Sequence, residues 1–231
     1  MAPDDRLPPA HRLSAALGAI AAVAWPFLVL RGHHSLLDLR DDWFTIGAEW
    51  SAVLVLAAIA FLLQRHRPSH FGLRGFGWRD LGCMLLALGV MFAVVGFLSR
   101  FTARPTAIPS PRQLAALPLF PRVVLVLTAG CCEEFLYRGF LIEELRDLTG
   151  SRALAAAVSV VAFALAHGGR YGLSSALLIP GSIGLIITLL YLWRRNLPLC
   201  MLMHATVDAL SVIVVPFLVS AAGNHLPAAG V

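Results

Sequence analysis

The sequence predicts an all-α fold, a polytopic transmembrane helical bundle with a buried polar site. Of the 231 residues, 58% are hydrophobic and 13% are charged, whereas an ordinary globular domain is about 25% charged. The apolar residues form runs of about 18–20 residues, which is the length of a helix that crosses the hydrocarbon core of a bilayer. We therefore expect residues 1–231 to form a single integral membrane domain.

About seven apolar runs are predicted to be membrane helices, with eight spans as the alternative. The first helix contains Pro26, which predicts a kink, and the sixth is expected to break near Pro180-Gly181. The fifth is short and alanine-rich, so it needs partner helices. The predicted helices cover residues 13–30, 44–63, 81–98, 119–145, 153–167, 173–193 and 197–219.

The segments between the helices carry arginines that set the expected topology. The net charge of +5 comes from arginine, since the chain has no lysine. These arginines are scattered rather than clustered, which indicates topology control and not nucleic-acid binding. Their distribution favours a cytosolic N-terminus. We expect the protein to lie in a prokaryotic inner membrane. Residues 64–79 include Phe71, Phe76 and Trp78, so this segment is expected to lie along the lipid headgroups.

Two adjacent carboxylates and an arginine interrupt the fourth predicted helix. Glu133, Glu134 and Arg138 lie between the apolar runs VVLVLTAG and GFLI. Three uncompensated charges would cost about 8–10 kcal/mol at a helix centre, so such residues usually face a bundle interior or a wet cavity. Glu134 and Arg138 are four residues apart and can neutralise each other as a structural ion pair. That pairing leaves Glu133, about 100° around the helix, as the candidate functional carboxylate.

Two histidines and an aspartate interrupt later helices. His167 ends the fifth predicted helix, while His204 and Asp208 share one face of the seventh. At 1.5 Å per residue, Glu133 lies about 16 Å, His204 about 10 Å and His167 about 21 Å from one membrane face. Helix boundaries uncertain by about two to four residues absorb this spread. We therefore expect the groups to meet in a cavity near the bilayer midplane.

Other polar and sulfur-containing residues receive structural interpretations. The same depth scale places Glu143 and Glu144 near the headgroups, where they need no special role. The cysteines show no zinc-binding spacing and are interpreted as small apolar packing residues. They are Cys83, Cys131, Cys132 and Cys200.

This set of side chains suits hydrolysis. A carboxylate can take a proton from water, and a histidine, or a metal held by histidines, can polarise the water or stabilise an oxyanion. A catalytic zinc ion typically has three protein ligands and one open position. His167, His204 and Glu133 are the candidate ligands for Zn²⁺ or another divalent metal ion, with Asp208 as an alternative to Glu133. The spacing is not H-E-x-x-H, so metal-free catalysis by the same residues stays open.

Three motifs occur in order in the C-terminal half of the chain: E-E-F-L-Y-R-G, F-A-L-A-H and H-A-T-V-D. Their order resembles that in the CPBP intramembrane proteases, which include the type II CAAX prenyl endopeptidases and the bacteriocin-processing enzymes. The resemblance covers about residues 115–215, the expected catalytic core, whereas the helices within 1–114 have no assigned role. The family pattern falls on Glu133, Glu134, Arg138, Phe163, His167, His204 and Asp208.

The resemblance implies a hydrolase, an intramembrane endopeptidase acting on a membrane-associated protein or peptide in the lipid bilayer. It also implies that Glu133 and His167 activate water and that His204 and Asp208 stabilise the oxyanion. Prenyl-protein enzymes usually have asparagine where this chain has Asp208, so the substrate and its lipidation stay open. From its place one turn beyond His204, Asp208 is expected to orient that imidazole, with a protonated donor role as the alternative.

Two other classes of protein stay open. A non-catalytic immunity factor or scaffold of the same fold can bind a peptide, although it does not need Glu133, His167 and His204 together. An ion- or proton-coupled transporter can use buried carboxylates and histidines as a relay. The lack of an internal repeat weakens the transporter, whereas the expected break at Pro180-Gly181 supports it.

Overall fold

A computed structural model describes residues 9–30, 39–102 and 109–223. In these segments the backbone forms helices and connecting loops, and none of the described residues lies in a strand. The predicted all-α fold is therefore confirmed. The side chain of Pro26 lies outside the described residues, so the kink there stays a prediction.

The N-terminal half contains three long helices. The helix α3 begins three residues earlier than predicted, because the Asp80 carboxylate accepts a hydrogen bond from the Gly77 N–H at 3.0 Å and satisfies a free donor of the first turn. The three helices are α1 (Pro9–Leu30), α2 (Leu39–Ala58, continued by a π-helical turn at Ile59–Leu63) and α3 (Trp78–Leu98).

The helix α4 (residues 119–149) lies at the centre of the bundle and packs against α1 and α2. Its regular ends, Leu119–Thr128 and Ile142–Thr149, enclose two π-helical stretches, Ala129–Glu133 and Phe135–Leu141. Such wide turns inside an α-helix occur often at functional sites. Here they coincide with the charged segment that the sequence singled out.

Three further long helices complete the bundle. Side-chain caps fix two of their starts: Ser151 Oγ accepts from the Leu154 N–H, and Asn196 Oδ1 accepts from the Leu199 N–H. The helices are α5 (Arg152–Ala166), α6 (Leu173–Arg194) and α7 (residues 197–223, with a π-helical turn at Leu210–Val214).

The predicted break in α6 is wrong. The helix runs without interruption from Leu173 to Arg194, with Pro180 inside it. A proline removes one backbone hydrogen bond, and a membrane helix tolerates that loss where neighbouring helices support it. On either side α6 packs against α3 and α5, which supply this support.

Helices of the described chain are long and apolar enough to cross a membrane, which supports an integral membrane protein. Four meet the criteria of length and composition: Trp43–Leu63, Trp78–Phe101, Leu173–Arg194 and Leu197–Ala222. The count of seven or eight spans and the cytosolic N-terminus stay predictions.

The segment after α2 packs partly against the bundle, whereas we expected it to lie along the lipid headgroups. A short 3₁₀-helix, Pro68–Phe71, turns it back, and the Phe71 ring is fully buried against the rings of Phe61 and Phe140. The Gly72 carbonyl accepts from the Leu197 N–H at 2.8 Å, which ties the segment to the start of α7. Trp78 is 88% exposed, as expected of an interfacial residue. The expectation is wrong for Phe71 because its ring fills one end of the bundle.

The carboxylates at the end of α4 are also placed differently from the prediction. Glu143 and Glu144 are 0% and 1% exposed. Glu143 accepts from the Tyr191 hydroxyl at 2.7 Å and pairs with Arg195. Glu144 accepts from Gln64 Nε2 at 3.0 Å. The depth scale along α4 placed both near the headgroups, but it could not show that neighbouring segments cover this end of the helix.

The helices α4 and α7 approach each other closely at Gly130. A Cβ at this position would lie 2.9 Å from Ala205 Cβ and 3.1 Å from the Met201 carbonyl oxygen. Because the second contact is with backbone, no side-chain rotation relieves it. The glycine therefore sets the distance between the helix that carries Glu133 and the helix that carries His204.

We expect Gly130→Ala to lower the melting temperature of the purified protein, because overpacking a tight contact typically costs about 1–3 kcal/mol. Gly89→Ala in α3 is the matched control, since a Cβ there meets nothing within 4 Å. The control should melt like the wild type or slightly higher, as alanine favours a helix by about 1 kcal/mol over glycine. Equal melting temperatures for the two variants would contradict the close approach of α4 and α7.

Candidate active site

The polar residues of α4, α5 and α7 meet around a shared cavity. Two adjoining cavities of about 60 Å³ and 390 Å³ both have Glu133 and His167 in their walls. The larger cavity also has His204 and Asp208 in its wall. The structure thus brings together four of the six candidate site residues. The other two, Glu134 and Arg138, are buried behind the cavity wall.

Glu134 and Arg138 form the ion pair that their spacing predicts. Arg138 Nη1 donates to Glu134 Oε1 at 2.7 Å, and both side chains are 0% exposed. Arg138 Nη2 donates to the Gly184 carbonyl at 2.9 Å, and Nε donates to Thr188 Oγ1 at 3.3 Å. The guanidinium also lies over the ring of Phe163, 4.4 Å from its centre. Arg138 therefore joins α4 to α5 and α6.

His204 is oriented by Glu134. Its Nδ1 lies 2.7 Å from Glu134 Oε1, and an ionised carboxylate can only accept, so Nδ1 carries the proton of this bond. The Nε2 atom is 3.6 Å from Asp208 Oδ2, which is beyond hydrogen-bond distance. The hydrogen bond that the sequence assigned to Asp208 is therefore made by Glu134, on the other side of the imidazole. Asp208 lies at the cavity wall beside Nε2.

His167 is held by the backbone of its own helix. Its Nδ1 lies 2.8 Å from the Phe163 carbonyl, and since a carbonyl only accepts, Nδ1 must donate. In the neutral imidazole this leaves the Nε2 lone pair free. That atom is 3.9 Å from Glu133 Oε2. The end of α5 thus presents a basic nitrogen to the candidate carboxylate.

Glu133 differs from its neighbour Glu134 in having no cation beside it. Its side chain is 20% exposed, and Oε2 has no hydrogen-bond partner among the described residues. Buried polar atoms are usually paired, so an unpaired carboxylate oxygen in a cavity wall calls for an explanation. The explanation that the geometry offers is a water molecule or a substrate group between Glu133 and His167.

The sequence analysis missed one carboxylate of the site, Glu49. It lies on α2 and faces both cavities beside Glu133 and His167. A signal was present, because Glu49 is an isolated charge within the apolar run 44–63. The N-terminal helices had no recognisable motif, so this charge received no role. The neighbouring Trp50 donates to Thr128 Oγ1 at 3.0 Å and fixes α2 against α4.

The three predicted metal ligands are not arranged as a ligand set. Among the described residues, one group of three histidines, cysteines or carboxylates has ligand atoms within 4.8 Å of one another, and it does not contain Glu133, His167 or His204. A tetrahedral zinc site needs ligand atoms about 2.0–2.2 Å from the ion, hence closer together than this. The residues as placed do not fit a metal ion, and a catalytic metal here stays a prediction.

The fold and the site together define a membrane-embedded helical protein with a cavity of carboxylates and histidines. A family model described as "Rce1-like: Type II CAAX prenyl endopeptidase Rce1-like" matches residues 115–210. This match confirms the predicted resemblance to the CPBP intramembrane proteases over α4 to α7. No curated protein and no solved structure matches the chain. The division into a core at 115–215 and an N-terminal part at 1–114 stays a prediction.

We expect Arg138→Ala to lower the yield of folded protein and its melting temperature, because breaking a buried ion pair typically costs about 3–5 kcal/mol. The double variant Glu134→Ala/Arg138→Ala should recover part of this loss, since no charge is stranded. Recovery stays partial because His204 also loses its partner.

The exposed Arg152 at the start of α5 provides the control for removal of an arginine. Arg152→Ala should melt within a few degrees of the wild type. If the double variant is no more stable than Arg138→Ala alone, the stabilising role of the Glu134–Arg138 pair is wrong.

Proposed function

We propose that this protein is an intramembrane endopeptidase that hydrolyses a peptide bond of a membrane-associated protein or peptide. The observation that carries the proposal is the short separation of Glu133 Oε2 from His167 Nε2, 3.9 Å, across the cavity. That separation is less than twice a hydrogen-bond length of about 2.8 Å, so one water molecule can contact both atoms. Neither atom is occupied by a strong partner within the described protein.

The proposed reaction begins with proton transfer from the bound water to Glu133, with His167 holding the water in position. The water oxygen bonds to the peptide carbonyl carbon, and the carbonyl electrons move to its oxygen. Glu133 then delivers the proton to the peptide nitrogen as the C–N bond breaks. The products are a carboxylic acid and an amine, so atoms and protons balance.

His204 is placed to stabilise the negative oxygen that forms in this reaction. Its Nδ1 is engaged by Glu134, while Nε2 faces the cavity. As an imidazolium, His204 has a second N–H at Nε2 that can donate to an oxyanion. Glu134 and Arg138 then act as positioning residues, because they touch His204 and the helices but not the cavity.

The surroundings of the cavity favour an apolar substrate segment. Its walls include side chains from the short helix Pro111–Ala115, from α4 and from the π-helical turn of α7, among them Leu114, Leu125 and Val212. A volume of about 390 Å³ is in the usual range for sites that bury a small ligand. We propose that the cavity receives the C-terminal segment of a membrane-associated substrate, beside the lipid bilayer and without nucleic acid.

The two alternative classes are less well supported. A scaffold gains nothing from an unpaired carboxylate oxygen at Glu133, since an unsatisfied buried polar atom is destabilising. The transporter was supported by a broken sixth helix, and α6 is continuous. Zn²⁺ or another divalent metal held by His167, His204 and Glu133 stays a prediction, and loss of cleavage on dialysis against a chelator would support it.

We expect Glu133→Gln to abolish cleavage of a panel of membrane peptides, prenylated and unprenylated, while the melting temperature stays nearly unchanged. The substitution keeps the shape but removes the base, and Glu133 has no arginine partner of the kind that Glu134 has. Loss of general-base catalysis typically costs about 10²–10⁴-fold in rate.

Cys131→Ala is the matched control for Glu133→Gln, because it changes a partly buried residue two positions away that does not line the cavities. The control should cleave at the wild-type rate. A Glu133→Gln protein that keeps most of its activity would rule out the proposed mechanism. A wild-type protein that cleaves no peptide of the panel would count for the scaffold or the transporter.

We expect Asp208→Asn to cleave more nearly like the wild type than Glu134→Gln does. Glu134 already fixes the imidazole at Nδ1, so the charge of Asp208 is not needed to orient His204. Removing a true orienting partner typically costs about 10–100-fold, which is the expectation for Glu134→Gln. A loss of that size in Asp208→Asn, with Glu134→Gln less affected, would restore the orienting role to Asp208.

A further inference from the structure

A second cluster of histidines and carboxylates lies at the end of the bundle, away from the cavity. His66 and His70 follow α2, and Asp147 lies near the end of α4. Their ligand atoms all lie within 4.8 Å of one another, the one such set of three within the described parts of the chain. Asp147 is about 21 Å along α4 from Glu133 at 1.5 Å per residue, so the cluster is separate from the candidate active site.

The two imidazoles and two carboxylates of the cluster face each other in pairs. The rings of His66 and His70 are stacked, with centres 4.0 Å apart and planes inclined by 8°. His70 Nε2 lies 3.3 Å from Asp147 Oδ2, and His66 Nε2 lies 3.8 Å from Glu144 Oε1. The second distance is too long for a hydrogen bond. The ligand atoms of His66, His70 and Asp147 therefore lie close together, and Glu144 Oε1 lies beside them, 3.8 Å from His66 Nε2.

The protein already holds the outer oxygen of each carboxylate. Gln64 Nε2 donates to Glu144 Oε2 at 3.0 Å, and Arg146 Nη2 donates to Asp147 Oδ1 at 2.8 Å. These bonds turn the inner oxygens, Glu144 Oε1 and Asp147 Oδ2, toward the imidazoles. Outer contacts that fix the orientation of ligating side chains are a regular feature of metal sites.

Two atoms of the cluster are buried and make no well-aligned hydrogen bond, although His70 Nε2 lies 3.3 Å from Asp147 Oδ2. His70 Nε2 and Glu144 Oε1 have no hydrogen-bond partner among the described residues, and the Glu144 side chain is 1% exposed. An unpaired carboxylate oxygen in such a place is costly unless a cation or a donor satisfies it. A structural pair of His66 with Glu144 does not satisfy it, because those atoms are 3.8 Å apart.

We propose that His66, His70, Glu144 and Asp147 bind a divalent transition-metal ion, with zinc as the best match. Imidazole nitrogen together with carboxylate oxygen suits this class of ion. Binding requires the ligand atoms to draw closer by side-chain rotation. The side chains of His66, His70 and Asp147 are 18–19% exposed, which leaves them room to rotate and gives the ion a path from solvent. The bound ion would tie the segment after α2 to the end of α4.

The test measures zinc binding to the full-length protein purified in detergent and freed of metal with a chelator. Calorimetric titration with zinc chloride compares the wild type with His66→Gln/His70→Gln, and thermal melting is recorded with and without zinc. The control, His33→Gln/His34→Gln, removes two other histidines. These two are neighbours in the sequence and lie outside the described residues. His167→Gln measures separately any zinc that binds at the candidate active site.

We expect the wild type and the control His33→Gln/His34→Gln to bind one more equivalent of zinc than His66→Gln/His70→Gln. Zinc should raise the melting temperature of the wild type and leave that of the double variant unchanged. Equal stoichiometry in the wild type and His66→Gln/His70→Gln would overturn the proposal. So would loss of the zinc equivalent in His33→Gln/His34→Gln instead.

A single substitution keeps the proposal testable if the double variant does not fold. Asp147→Asn retains the size of the side chain and removes one charged ligand. It should weaken zinc binding by at least about tenfold, with the wild-type fold checked by melting in the absence of zinc. Unchanged affinity in folded Asp147→Asn would also overturn the proposal. None of these measurements depends on peptide cleavage, so they stand apart from the test of the endopeptidase.

Discussion

The buried pair of Glu134 and Arg138 is the interaction on which the arrangement of the C-terminal helices depends. Both charges are fully buried, and a buried charge without its partner would be strongly destabilising. The pair is satisfied by groups from several helices: Gly184 and Thr188 on α6 and His204 on α7. These contacts hold α6 and α7 in a fixed position along α4. The same contacts that neutralise the charges also aim His204 at the cavity.

Adjacent glutamates on one helix acquire different surroundings from this constraint. Glu134 is committed to a cation and an imidazole, whereas Glu133, one position earlier, faces the cavity with an unpaired oxygen. A difference of about 100° around the helix is enough to turn Glu134 toward its ion pair and Glu133 toward the cavity. The π-helical turns in this part of α4 and the close contact at Gly130 let α7 come near enough for both roles.

The sequence predicted what depends on composition and on spacing along one helix. The apolar runs predicted the helices, and the four-residue spacing of Glu134 and Arg138 predicted their pair, because both signals are local. What the prediction missed depends on which elements meet. The role of Glu49 on α2 and the burial of Phe71 follow from packing between segments distant in sequence. Whether α6 breaks at Pro180 depends in the same way on the helices that pack against α6.

The helix α4 carries charged side chains inside an apolar bundle, and these charges are compensated differently at its centre and at its end. At the centre the charge of Glu134 is neutralised by Arg138 from the same helix, and Glu133 lies in the wall of the cavity. At the end, Glu143 is neutralised by arginines, including Arg195 at the α6–α7 junction. Glu144 lies beside that group but receives only an amide, from Gln64, and its inner oxygen faces two imidazoles. A cation at that point would complete the series, since every other buried carboxylate of α4 either has a positive partner or borders the cavity.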